Sequence, residues 1–476
     1  MSGLFSALST NAKALQIHGL GAEITGKNLA NINNPDYARQ RVNVTNLGSV
    51  ETPFGPMSMG LTVEGLSHSR DRLLDAALLR EVSNEAKLAG EYDLARQLET
   101  ALGESIDRSD STSIADGSSE LSTSPGLFGA VGRYFEALDG VASNPSDPSQ
   151  RDLLFKRAEA LIAEFRAVDT NINQAIADGT DLIQNQVGRV NEILKDVADL
   201  NRQITRFELQ HPQSAVDLRD KRQSALEELA QYTDFRTVGN DGTLQVIFTA
   251  ETSGTDLVAV DGQKLENTLT MVTADTFQMA GSNVSMTRGS IHGISEAITS
   301  QAVESLAEVN ELAAELVTRV NTAFNPGSNP DYDFFEATGL TAATISVDNN
   351  MPANFRTNNT GDASDSTLIL NAAKVGDDNG IVFAPAGGDS FTGDFRQYAS
   401  QIASNLGTYV SSVERSLENQ SLVTTHVRAQ RDSISAVSMD EEVANLVKYQ
   451  RAFQASARVI SVIDSLLEVV VNGLKR

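Results

Sequence analysis

Two helical seams, one at each end of the chain, constrain the fold more than anything between them. Phe5, Leu8, Ala12, Leu15, Gly19, Ala22, Gly26 and Leu29 recur at alternating spacings of three and four. Met439, Val443, Leu446, Gln450, Phe453, Ala457, Ile460, Asp464, Leu467, Val471 and Leu474 do the same near the other end. That alternation puts each set along one side of a helix, the pattern of coiled-coil pairing. The first seam is rich in Gly and Ala and the second in large apolar residues, so a close small-against-large fit is expected. Either helix alone would be marginal in water, and each interior Gly costs it about 1 kcal/mol relative to Ala. Each Leu, Ile or Phe buried between them returns roughly 1.5–3 kcal/mol. The ends are therefore expected to become rigid by pairing and by packing among neighbouring subunits, with two ordinary core helices as the plainer alternative.

With 476 residues the chain exceeds one simple core. No apolar run approaches the ~20 residues of a membrane span, and Met1-Ser2-Gly3-Leu4-Phe5 carries no conventional secretory signal. A formal charge of −26 argues against nucleic acid and against an anionic membrane surface. The absence of cysteine excludes disulfides, thiolate metal sites and cysteine nucleophiles.

The spacing predicts helices over Arg72–Ile106, Leu127–Ala142, Pro148–Ala177, Leu182–Leu209 and Val216–Tyr232, with a break at Asn144–Pro148 and a flexible Ser/Thr/Gly-rich connection at Ser109–Ser124. Phe235–Ala250 and Leu257–Thr276 are rich in Val, Thr and Phe and broken by turns such as Asn240-Asp241-Gly242, which reads as a hairpin-rich β unit. Helix resumes over Ile294–Phe324, Asn325–Asp394 reads as loop and short strand, and helix returns from Phe395. Ser438 and Glu441 have capping-box spacing for a final helix. The expected class is mainly α with a β insertion. A terminal coiled-coil assembly domain (1–45 and 438–476) carries a helical bundle (46–235 and 291–437, with a loop and short-strand segment at 325–395) and a smaller outer β domain (236–290).

No chemistry-bearing constellation emerges. Gly21–Asn28 has the outline of a phosphate-binding loop, but Asn28 replaces the required Ser or Thr and no strand precedes it, so close helix packing is the better account of its glycines. His18, His68, His211, His292 and His426 are scattered. Asp331, Asp333 and Glu336 lack calcium-loop spacing and read as a solvated turn anchored by Phe334 and Phe335. No catalytic residue, cofactor or metal ligand is assigned.

Asn28-Leu29-Ala30-Asn31-Ile32-Asn33-Asn34-Pro35-Asp36-Tyr37-Ala38-Arg39 resembles the N-terminal signature of the bacterial flagellar rod, hook and hook-associated family, and Ser438–Ile460 resembles its C-terminal stretch. Asn34 and Asp36 depart from the usual Thr and Gly, and Pro-Asp suits a type I turn where Gly would allow type II. Ser143–Pro148 and Asp217-Leu218-Arg219-Asp220-Lys221-Arg222, each leading into a helix, resemble the hook-associated branch, whereas hook protein is mostly β between its termini. The resemblance implies a structural subunit at the hook–filament junction, exported unfolded by the flagellar type III route without a cleaved signal peptide and located outside the cell. Its implied partners are further copies of itself, hook protein, neighbouring hook-associated proteins and an export chaperone. The expected assembly interface comprises Leu8, Ala12, Leu15, Gly19, Ala22, Gly26, Leu29, Asn31, Pro35, Tyr37, Val443, Leu446, Phe453, Ala457, Ile460 and Leu467. Another flagellar axial protein (hook, rod or third hook-associated protein) is the alternative within the family, and a cytosolic coiled-coil scaffold the alternative outside it.

Overall fold

A computed structural model describes residues 2–52, 55–103, 126–209, 214–239, 243–327, 329–360 and 365–474. The expected connection at 109–124, the turn Asn240-Asp241-Gly242 and His211 lie outside the described residues. The chain is mainly helical with a smaller antiparallel β unit, as the periodicity predicts.

Helix α1 (Ser2–Ala30) leads into a β ribbon of β1 (Gln40–Asn46) paired with β4 (Leu61–His68), which continues into the pair β2 (Ser49–Thr52) and β3 (Gly55–Ser58). The ribbon lies on α1, where Thr10 packs against Gly60. That support matters because an isolated two-stranded ribbon is only marginally stable.

The body begins at α2 (Arg72–Ala101), whose N-cap Asp71 accepts hydrogen bonds from the backbone of Leu73 and Leu74. Helix α3 (Gly126–Ser143) follows, then α4 (Pro148–Glu208), capped by Asp147 with Pro148 in its first turn. Helix α4 runs unbroken for 61 residues where the sequence suggested two helices. Gly179, which falls between the two expected helices, sits in the helix where a Cβ would lie 3.1 Å from the side chain of Ile298 and 3.4 Å from that of Leu94. It serves close packing instead of ending the helix. Helix α5 (Val216–Tyr232) turns back along α4.

The β unit holds β5 (Arg236–Val238), β6 (Gln245–Ala250), β7 (Asp256–Asp261), β8 (Lys264–Leu265), β9 (Thr270–Met271), β10 (Phe277–Met279) and β11 (Ser282–Ser285). Their order is β8-β7-β6-β11-β10-β9, with β5 also on β6, and every pairing is antiparallel. Buried Asn201 of α4 pins this sheet by donating to the carbonyls of Leu244 (2.9 Å) and Gly262 (2.6 Å).

Helix α6 (Ser290–Glu296) passes through a π-helical turn at Ala297–Ala302 into α7 (Val303–Phe324). The next stretch contains α8 (Met351–Asn354), α9 (Thr367–Val375) and the pair β12 (Ile381–Phe383) and β13 (Phe391–Gly393). Helix α9 was not expected in this Asn/Asp/Gly-rich segment. It buries Leu368, Ile369, Ala372 and Ala373 against α3 and α7. Phe334 and Phe335 are fully buried and pack edge-on to each other, with Phe324 and Tyr134 alongside. Helix α10 (Phe395–Ser435), started by an Asp394–Gln397 capping box, returns antiparallel to α2. Helix α11 (Met439–Leu474) completes the chain.

Candidate assembly interface

The termini meet within one chain. Asn28 of α1 faces Glu442 of α11, Gly21 faces Tyr449, and Gly19 faces Phe453, so the two helices run antiparallel. On α1 the buried line is Ile17, Gly21, Ile24, Thr25 and Asn28. It lies two positions, somewhat over half a helical turn, from the expected line. Leu8, Leu15, Gly19, Ala22 and Leu29 are half-buried, while Ala12 and Gly26 are exposed. On α11 the inward residues are Glu442, Leu446, Tyr449, Ser456, Ile460, Ile463 and Leu467. Leu446, Ile460 and Leu467 belong to the expected seam. Val443, Phe453 and Ala457 are exposed, although Phe453 also touches the α1 backbone at Gly19.

Gly21 is the residue this pairing needs. A Cβ there would stand 2.5 Å from the ring of Tyr449, which therefore lies directly on the α1 backbone. Gly26 has nothing within 4 Å, so close packing does not explain it.

Beyond Gly21 the pair changes from apolar to polar. Buried Asn28 donates to Glu442 Oε2 (2.9 Å) and to the Gln40 carbonyl (3.0 Å). It accepts from the Tyr37 hydroxyl (2.7 Å) and the Gln40 amide (3.1 Å), so both ends of its amide are used. Burial, with Asp217, Asp220 and Glu442 nearby, pushes the Tyr37 hydroxyl well up and holds it as a neutral donor. Arg39 donates from Nε to Glu442 (2.7 Å) and from Nη1 to Glu441. Glu441, expected in a capping box with Ser438, is thus engaged by Arg39. Asn31 caps the end of α1 by donating to the Lys27 carbonyl. Exposed Pro35 sits in a turn closed by the Tyr37 amide on the Asn34 carbonyl. Asp36 has no positive φ, in keeping with the type I expectation, and its carboxylate accepts from Ser224.

Asn28 and Arg39 lie in the N-terminal signature and Asp217 and Asp220 in the middle motif, but none of the four is among the residues expected in the interface. Among the described residues no group of three or more His, Asp or Glu side chains could hold a metal ion, and no helix is long and apolar enough to cross a membrane.

The pair covers only one side of α11. Val443, Val447, Val459, Val462, Leu466 and Val469 remain 40–70 % exposed. The last four repeat at spacings of three and four along one outward strip. Lys448, Arg451 and Arg458 are exposed on the same helix.

Known proteins resemble this chain in sequence. A family model described as the flagellar hook-associated protein FlgK helical domain matches residues 116–335. One described as the flagellar basal body rod FlgEFG protein C-terminal matches residues 428–473. The chain is 23 % identical to flagellar hook-associated protein 1 of Bacillus subtilis (strain 168), over 100 % of this chain and 99 % of that one. It is 21 % identical to flagellar hook-associated protein 1 of Salmonella typhimurium (strain LT2), over 99 % and 100 % of the two chains. The structure of the flagellar hook junction protein FlgK from Burkholderia pseudomallei aligns with a TM-score of 0.43 at 21 % identity, covering 54 % of this chain and 46 % of that one. The two models together span more than half of the sequence and describe a structural component of the bacterial flagellum. Along its whole length the chain is similar to flagellar hook-associated proteins, and the two matched segments carry domains of that axial class.

Proposed function

We propose that this chain is the axial subunit that joins hook to filament, and that the outward strip of α11 is the surface neighbouring subunits cover. The observation that carries this reading is the exposed apolar line Val459, Val462, Leu466 and Val469 on a helix whose other side is already paired. Each such side chain covered by a neighbour contributes roughly 1.5–3 kcal/mol. A ring or helical layer repeats that gain in every subunit, so a strip idle in the single chain becomes decisive in the polymer. The half-buried and exposed positions of the N-terminal seam, among them Ala12, Ala22 and Gly26, leave room for a second close helix on the opposite side of α1.

In this reading the partners are further copies, hook protein on one side and neighbouring hook-associated proteins on the other. A chaperone shields the apolar strips before unfolded export by the flagellar route to the outside of the cell. The strongly negative charge keeps the unassembled subunit soluble.

Val462→Asp and Val469→Asp test the surface. These residues are 60 % and 70 % exposed, so each variant is expected to keep the wild-type helical content and melting temperature. Incorporation into flagella should be lost. Wild-type incorporation of both would remove the strip from the interface. Cells lacking the protein are expected to keep hooks, lose filaments and shed flagellin. Persistent filaments would contradict the junction role.

A further inference from the structure

The joint between the terminal helix pair and the helical body is made differently from either part. Neither of the body's clusters of buried apolar side chains includes a residue of 1–71 or 439–476 among those described. The contacts resolved across the joint are polar, and those on α5 share one side of that helix. Asp217 accepts from Lys27 Nζ (2.5 Å) and from Gln40 Nε2 (2.7 Å). Asp220 accepts from the Ala38 amide (3.3 Å) and from Arg70 Nε (3.0 Å), and Arg70 also donates to the Asp36 carbonyl (2.9 Å). Ser224 donates to the Asp36 carboxylate (3.1 Å). Asp217, Asp220 and Ser224 stand three and four residues apart and so face the joint together. The backbone crosses only twice, at 69–71 and at 436–438.

Apolar packing fixes an angle because any tilt opens voids. A half-exposed ion pair fixes it weakly, because water and salt compete for both charges. Here Arg70 and Asp220 are buried at the centre, with side chains 9 % and 8 % exposed, whereas Lys27 and Asp217 at the edge are 37 % and 56 % exposed. The geometry points to an ionic pivot on the Asp217–Asp220–Ser224 face of α5, on which the terminal pair changes its angle to the body while both stay folded. The Arg70–Asp220 pair is the axis, and the Lys27–Asp217 pair is a strap that releases. The inference does not depend on which neighbours the subunit meets.

The chain has no cysteine, so two introduced ones carry spin labels without interference. Ala455→Cys on α11 and Gln184→Cys on α4, both exposed, report the angle in the full-length protein as a distance distribution. A single narrow distribution is expected at about 0.01 M salt, broadening about twofold near 1 M, where the screening length falls from roughly 30 to 3 Å. Lys27→Met and the double variant Asp217→Asn/Asp220→Asn should broaden it at low salt. Asp256→Asn, whose exposed partner Arg236 lies with it in the β unit, should not. Distributions that stay narrow in both joint variants and at high salt overturn the pivot. If the double variant lowers the melting temperature of the body, the wild-type salt series decides, since it alters no side chain: broadening supports the pivot and constancy overturns it.

Discussion

Gly21 and Gly26 look alike in the sequence and do opposite things in the fold. Gly21 is buried under the Tyr449 ring, and a methyl group there must displace the ring or part the helices. Gly21→Ala is therefore expected to weaken the α1–α11 pair by about 1–3 kcal/mol, the usual cost of overpacking. Gly26→Ala meets open space and should strengthen α1 by up to about 1 kcal/mol through helix propensity alone. Hydrogen exchange of α1 amides in the two variants measures the difference, and equal protection in both would contradict the packing described. The alternation of three and four was legible at both ends, but the side chosen was not. Leu446, Ile460 and Leu467 lie on the inward side of α11. On α1 the larger Ile17 and Ile24 fixed the contact, and the line through Gly19, Ala22 and Gly26 was left beside or outside it.

Among elements, the packing of α7 on α10 contains a buried carboxylate. Glu308 is 6 % exposed and accepts a hydrogen bond from Asn405 of α10 (2.9 Å). Burial pushes its carboxyl up to about 7; the Asn405 bond opposes this and the charge of Glu304 adds to it. A carboxyl raised in the folded state favours folding fully below its unfolded value, near 4.5, and that contribution is lost as pH rises through about 7. Glu308→Gln keeps the bond to Asn405 and removes the charge. The variant should match wild type near pH 4 and exceed it by about 2–3 kcal/mol at pH 8. Denaturant unfolding at the two pH values checks this, and a constant difference between the proteins would contradict it. Most helices were readable because a long amphipathic stripe outweighs local breaks. Helix α4 continues through Gly179 for that reason, since tertiary neighbours occupy the space a side chain would need. Helix α9 was missed because its nine residues offer only about two and a half turns of periodicity amid Asn and Gly.

For the molecule as a whole, the polar joint means that the terminal unit and the body share little cooperative packing. Calorimetry of the full-length subunit is expected to resolve two transitions, with the terminal pair and its β ribbon melting first and the body later. The marginal stability of a lone helix pair sets that order. A single sharp transition reporting both parts would show a coupling stronger than the ionic contacts supply. Assembly should remove the early transition, because neighbours that bind only the folded pair shift its melting upward.

The sequence by itself determined that this chain is mainly helical, that a β unit interrupts it, that both ends form seamed helices, and that its signatures belong to the flagellar axial proteins. Those properties are periodic or local, so they survive without knowledge of distant contacts. Only the tertiary structure decided which side of α1 meets α11, that Asn28, Arg39 and Glu442 tie the ends together, and that α5 carries the joint. Lys27 and Asp217 are 190 residues apart in the chain, and no local pattern records a partner at that distance.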